Sequence, residues 1–237
     1  MLKKTIYAET KKLTGNPVWI PFFILPLLST LIGTLNFTNN LGLLSNTWEN
    51  LWTQNTLFLS YFFFPALVAT CCAFLWRMEF FEHNMNLFLT VPVRRSSLIL
   101  GKYMIAVCVT ILSVLWTLLL YLLSGWIIGI PQGLPKQMPE WILCGILGSV
   151  TICSVQLFLS LLIQSFAVPI GIALAGGVLG IGFLSKGLAN FWPYALFAYG
   201  LRANNPDMKF EFLPFLASNL IFTVLFLLLT VRRLKKR

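Results

Sequence analysis

GKYMIAVCVTILSVLWTLLLYLL, residues 101–123, decides the class of this chain. Its one charged residue, Lys102, lies at the edge, and the apolar run behind it matches the roughly 20 residues that a helix needs to cross a bilayer. The same test applied outward finds five more runs, near residues 17–36, 57–76, 141–163, 167–184 and 212–231. Pro169 suits the first turn of the fifth, where its missing N–H costs little. The expected fold class is all-α: a polytopic membrane protein with six transmembrane helices, forming a single domain over residues 1–237. Composition agrees, since 58% of the residues are hydrophobic and 10% charged, against about a quarter charged in soluble domains.

The formal net charge of +10 does not signal nucleic acid, whose readers carry a basic face on a folded soluble surface. Here the bases sit between and beside apolar runs. Lys3, Lys4, Lys11 and Lys12, then Arg77, Arg94, Arg95 and Lys102, then Arg232, Arg233, Lys235, Lys236 and Arg237 fall on one side of the six spans. Only Lys136, Lys186, Arg202 and Lys209 fall on the other. The excess of positive charge in cytoplasmic segments makes both termini cytoplasmic. No cleavable signal peptide is expected, because the first apolar run is long enough to span and lacks a small-residue cleavage pattern.

Catalysis is excluded by inventory. A nucleophilic triad or a metal site needs several His, Asp, Glu or Cys side chains in one place. The chain has one histidine, His83, and one aspartate, Asp207, and the topology puts them on opposite sides. The five cysteines all fall inside predicted spans, an odd set that reads as small apolar packing residues rather than a disulfide framework. No phosphate-binding GxxxxGK[ST] loop occurs. Any ATP that drives this protein is therefore bound by another chain. Proton- or ion-coupled transport usually shows ionisable groups in the membrane interior, and the six spans show essentially none, with Lys102 and Glu211 at edges.

Two cytoplasmic segments carry helical patterns of their own. In residues 1–16, Leu2, Ile6 and Leu13 share a face, Lys4 and Lys11 point away and Lys3 and Lys12 flank it, before Gly15 and Pro17 end the helix. That is the pattern of an interfacial helix on anionic lipid; a disordered basic tail is the alternative. In residues 78–90, Met78, Phe81, Met85, Phe88 and Leu89 form one face, and Glu79, Glu82, His83, Asn86 and Thr90 the other. Phe80 and Leu87 break this split, and Pro92 stops the helix. Arg94 and Arg95 follow where they can meet headgroups. A helix resting on the negative cytoplasmic leaflet is usually basic, so an acidic face there fits docking to a protein.

At this point the sequence resembles the membrane subunits of type 2 ATP-binding-cassette exporters. The resemblance rests on AETKKLTGNPVW near the start, the six spans, the acidic helix between spans two and three, and VPVRRSSLILGK leading into the third. It implies a coupling helix at about 78–90 that contacts the ATPase through Glu79, Glu82, His83, Asn86, Arg94 and Arg95. It also implies ATP and Mg on a separate ATP-binding subunit, none on this chain, and a second permease chain, related or identical. The length and the segment ANFWPYALFAYGLRANNP are similar to permeases of lantibiotic immunity transporters, which implies removal of antimicrobial peptides from a bacterial cell membrane; export of another hydrophobic or drug-like substrate, or a non-transporting membrane scaffold, is the alternative.

The outer segments leave two questions open. Trp48 and Trp52 in residues 37–56, and Phe191, Trp192, Tyr194 and Tyr199 in the aromatic segment 185–211, are either a surface for an amphipathic substrate or an interfacial aromatic belt. In the fifth span, Gly176 with Gly180 and Ala173 with Gly177 form small-xxx-small pairs that allow close helix approach. The neighbour is either another span of this chain or the second permease.

Overall fold

The computed structural model describes residues 2–80, 94–203 and 205–235. Among these, every regular element is helical. A short helix α1 (Leu2–Leu13) precedes α2 (Trp19–Asn39). Next, α3 (Trp48–Phe58) runs through a π-helical turn, Leu59–Phe63, into α4 (Phe64–Phe80). The chain continues as α5 (Arg95–Ile128), α6 (Met138–Leu162) and α7 (Ala167–Ser185). A 3-10 turn (Ala189–Phe191), α8 (Ala195–Leu201) and α9 (Phe212–Lys235) complete it. Six helical stretches are long and apolar enough to cross a membrane, with α3, the π turn and α4 forming one of them.

The second span departs most from expectation, since its helix begins at Trp48 rather than near 57. Thr47 caps α3 by accepting a hydrogen bond from the Asn50 N–H at 3.3 Å, satisfying a donor that the first turn leaves over. The π turn has a local cause. Pro65 has no N–H to give the Tyr61 carbonyl four residues back, and helices adjust at such a point by a π bulge. Gly177 of α7 lies against that carbonyl, and a Cβ there would also fall 3.0 Å from the Pro65 ring.

Trp48 and Trp52 are core residues, 3% and 2% exposed. The Trp48 indole donates to the Gln132 carbonyl at 2.7 Å and the Trp52 indole to the Leu201 carbonyl at 2.8 Å. Both rings meet Tyr121 edge-on, and the Tyr121 hydroxyl donates to the Trp48 carbonyl at 2.8 Å. Their expected place on an outer substrate surface is thereby corrected: a buried indole needs an acceptor, and here two backbone carbonyls of the protein supply it.

The segment after α7 does not lie loosely over the bundle. All seven residues of α8 are buried, and its backbone presses on α6 at Gly148, where a Cβ would fall 2.7 Å from the Phe197 N and Cα atoms. Phe197 stacks on Phe64 with ring centroids 3.7 Å apart. Arg202 ends the helix in the left-handed region (φ 57), its guanidinium donating to the Tyr199 carbonyl at 2.9 Å and to the Glu140 carboxylate at 3.0 Å.

Candidate functional site: a buried charge cluster and an apolar groove

The inward face of α1 carries Thr5, Glu9 and Leu13, spaced i, i+4, i+8 on one side of a helix. Leu2 is exposed, so the buried stripe is offset from the one expected from the apolar residues alone. Thr5 packs on α5 at Gly101, where a Cβ would come 2.7 Å from the Thr5 methyl. One step further along, Glu9 meets Lys102. The Lys102 ammonium, fully buried, donates to Glu9 Oε2 at 2.9 Å, to Glu79 Oε1 at 2.8 Å and to the Leu75 carbonyl at 2.8 Å. Three donors thus find three acceptors, and the ammonium also sits 5.2 Å from the centre of the Trp76 ring.

Lys12 completes the cluster, donating to Glu9 Oε1 at 2.7 Å and to Glu79 Oε1. Burial acts to lower the Lys12 ammonium, but its bonds to Glu79 and Glu9 outweigh this and hold it above the ordinary lysine range. Two acids and two bases therefore make a formally neutral quartet, buried except for the partly exposed Lys12, that joins α1 to the last turn of α4 and the second turn of α5. Such a quartet contributes little net stability over an apolar core but is costly to break from one side.

This placement corrects the reading of Glu79. Because α4 runs to Phe80, Glu79 lies one turn after Leu75 on the face turned to α5, and it is 5% exposed. Its carboxylate points into the quartet and away from any outward acidic face. Glu82, His83 and Asn86, the other members of that face, lie outside the described residues. Arg94 precedes α5 and is exposed, while Arg95 opens α5 and donates to the Leu234 carbonyl at 2.7 Å. The sequence shows the four charges singly, and only the Glu9 to Lys12 spacing marks two of them as neighbours.

At the other candidate region, the described structure separates the aromatic residues. Phe191 is 72% exposed, Trp192 is half-buried, and Tyr194 and Tyr199 are buried. Tyr199 is a packing residue: its hydroxyl accepts from the Glu211 N–H at 3.0 Å, and its ring packs on Phe210 and Phe215. Phe191, Trp192 and Tyr194 instead border a groove of about 480 Å³ between α6, α7 and α9, closed by Leu159, Leu179 and Phe226 among others. Gln156 donates to the Tyr194 hydroxyl at 2.6 Å, with Gln156 fully buried. The Trp192 indole donates to the Gly176 carbonyl at 2.7 Å and stacks on Phe183.

The glycine pairs of the fifth span find their neighbours inside the chain. Gly176 packs on the Tyr194 ring, Gly177 on Tyr61 and Pro65, and Gly180 on Ala195; Ala173 is fully buried. The small residues let the π turn of the second span and the start of α8 approach the α7 backbone.

Six apolar helical spans, a short basic-faced helix locked to the base of the second and third spans, and an apolar groove between spans define a multi-pass membrane protein. The chain belongs to the ABC-2 transporter family: the family model described as ABC-2 family transporter protein matches residues 5–180, well over half of the chain. No curated protein matches it. Membership makes this a membrane permease component of an ATP-binding-cassette transporter and implies an ATP-binding partner.

Proposed function

We propose that this chain is the permease subunit of an ATP-driven exporter that expels amphipathic antimicrobial peptides of the lantibiotic type, as self-immunity of a bacterial cell. ATP and Mg are bound by the separate ATPase, and a second permease chain, related or identical, completes the membrane domain. The observation that carries the substrate class is the groove at Phe191, Trp192 and Tyr194. Its volume of about 480 Å³ falls in the roughly 300–1,000 Å³ range of ligand sites. Its walls are apolar, it opens between spans, and Tyr194 in its lining is fixed by the hydrogen bond from the buried Gln156 behind it. An apolar side chain of a membrane-inserted peptide fits such a site.

The quartet supports the coupling side of the reading. It sits at the root of the stretch 81–93, so a push on that stretch reaches α1, α4 and α5 together through Glu79 and Lys102. Glu82, His83 and Asn86 are the residues proposed to meet the ATPase; Arg94 and Arg95 leave that set, because the Arg95 guanidinium is taken by the Leu234 carbonyl at the end of α9.

Two measurements test these assignments separately. Glu82→Lys should reduce co-purification of the ATPase at least about fivefold, the scale of a lost interfacial charge contact, with the permease still monodisperse. Undiminished recovery of the ATPase would remove the docking assignment. Deletion of the gene should sensitise the producing cell to a lanthionine peptide, and restoring the gene with Ala175→Trp, which fills the groove, should fail to rescue. Sensitivity only to unrelated drugs would remove the peptide assignment and leave the permease class standing.

A further inference from the structure

The ends of α5 and α9 meet although they are far apart in sequence. The Arg95 guanidinium donates to the Leu234 carbonyl at 2.7 Å, one of the last carbonyls of α9 that lack a helical partner. That hydrogen bond brings the start of α5, with Arg94 and Arg95, to the last turn of α9, which carries Arg232, Arg233 and Lys235; all but the half-buried Arg95 are exposed. Five bases thus crowd one end of the bundle. Among the described residues none of them is ion-paired: Glu9 and Glu79 are held by Lys12 and Lys102, Glu140 by Arg202 and Glu211 by Lys209.

Crowded like charges repel, and an anion placed among them relieves this. Guanidinium groups match phosphate oxygens with paired hydrogen bonds. The α9 surface shows which phosphate. Ile221, Leu225 and Leu228 are exposed at 63%, 45% and 52%, and with Arg232 they recur at i, i+4, i+7 and i+11 along one helix face. An apolar stripe ending in a base is the shape of a lipid: acyl chain along the stripe, headgroup at its end.

We propose that Arg94, Arg95, Arg232, Arg233 and Lys235 form a binding site for the headgroup phosphate of an anionic phospholipid, whose acyl chain lies on the Ile221–Leu225–Leu228 stripe. The lipid thereby clamps the end of α9 to the start of α5, where the chain returns from residues 81–93. This site is independent of what the transporter exports.

The test uses the full-length protein in nanodiscs of mixed phosphatidylglycerol and phosphatidylcholine, with retained lipids counted by native mass spectrometry. The variant R94Q/R232Q/R233Q should lower the preference for phosphatidylglycerol about tenfold more than K3Q/K4Q/K11Q, which removes the same charge from the exposed face of α1 and so measures the general surface attraction. Millimolar inorganic phosphate should not displace the lipid. Equal loss in the two variants would reduce the effect to general positive charge, and displacement by phosphate alone would make it a simple anion site; either result overturns the proposal. So would an R94Q/R232Q/R233Q variant that keeps its phosphatidylglycerol but loses the ATPase, because the surface would then belong to a protein. If that variant does not fold, R232Q/R233Q, confined to the exposed last turn of α9, carries the same comparison.

Discussion

Lys102→Met should strip the folded protein of about 3–5 kcal/mol, the usual cost of removing one member of a buried ion pair. The side chain it replaces is fully buried and holds two carboxylates and a backbone carbonyl. Methionine has a similar length, so the loss is not one of volume. What remains is Glu9 and Glu79 facing each other at 2% and 5% exposure, with Lys12 as their only counter-charge among the described residues. Thermal unfolding followed by size-exclusion should show a sharply lowered midpoint, and limited proteolysis should cut α1 free. The decisive companion is the triple change Lys102→Met, Glu9→Gln and Glu79→Gln. Removing all three charges together should recover most of the loss, because uncompensated charge and not missing attraction causes it. A Lys102→Met protein as stable as the parent would mean that the quartet does not fasten α1 to the bundle.

The sequence carried the six spans because hydrocarbon thickness demands runs of about 20 apolar residues, and that demand is local. It did not carry the first part of the second span. WENLWTQNTLF is too polar to register as a membrane run, and it is helical because Thr47 caps it and because Trp48 and Trp52 are buried against Tyr121. Aromatic residues near a span end look the same in sequence whether they face headgroups or a neighbouring helix. Only the partners, a Gln132 carbonyl 84 residues away and a Leu201 carbonyl 149 residues away, separate the two cases.

The charge quartet was hidden for the same reason. Glu9 and Lys102 are 93 residues apart, and each alone resembles an ordinary interfacial charge. Helical phase groups Glu79 with Glu82 and His83 when residues 78–90 are read as one helix; α4 extends through Phe80 and fixes Glu79 in the phase of Leu75, facing α5. The small residues of α7 did announce a close approach, since Gly and Ala at four-residue spacing admit a backbone. They did not announce that the approaching backbone is a π turn of the same chain, because that turn depends on Pro65 and on the packing around it.

Gly148→Ala and Gly171→Ala should have opposite effects, although each adds one methyl group to a helical glycine. At Gly171 of α7 nothing lies within 4 Å of the added Cβ, so the change removes only the backbone freedom of glycine and should stabilise by about 0.5–1 kcal/mol. At Gly148 of α6 the new Cβ would fall 2.7 Å from the Leu196 carbonyl oxygen and from the Phe197 N and Cα. These are backbone atoms of a buried helix and cannot rotate away. Helix α8 must shift outward, and the shift pulls on the Phe64–Phe197 stack and on the Trp52 to Leu201 hydrogen bond. Overpacking of this kind costs about 1–3 kcal/mol in a well-packed core, and the two lost contacts place Gly148→Ala at the upper end. Unfolding midpoints of the two variants, measured side by side in one detergent, should move to opposite sides of the parent. Equal midpoints would show that α8 rides loosely on α6, and the groove at Tyr194, seven residues before Leu201, would then lack its rigid floor.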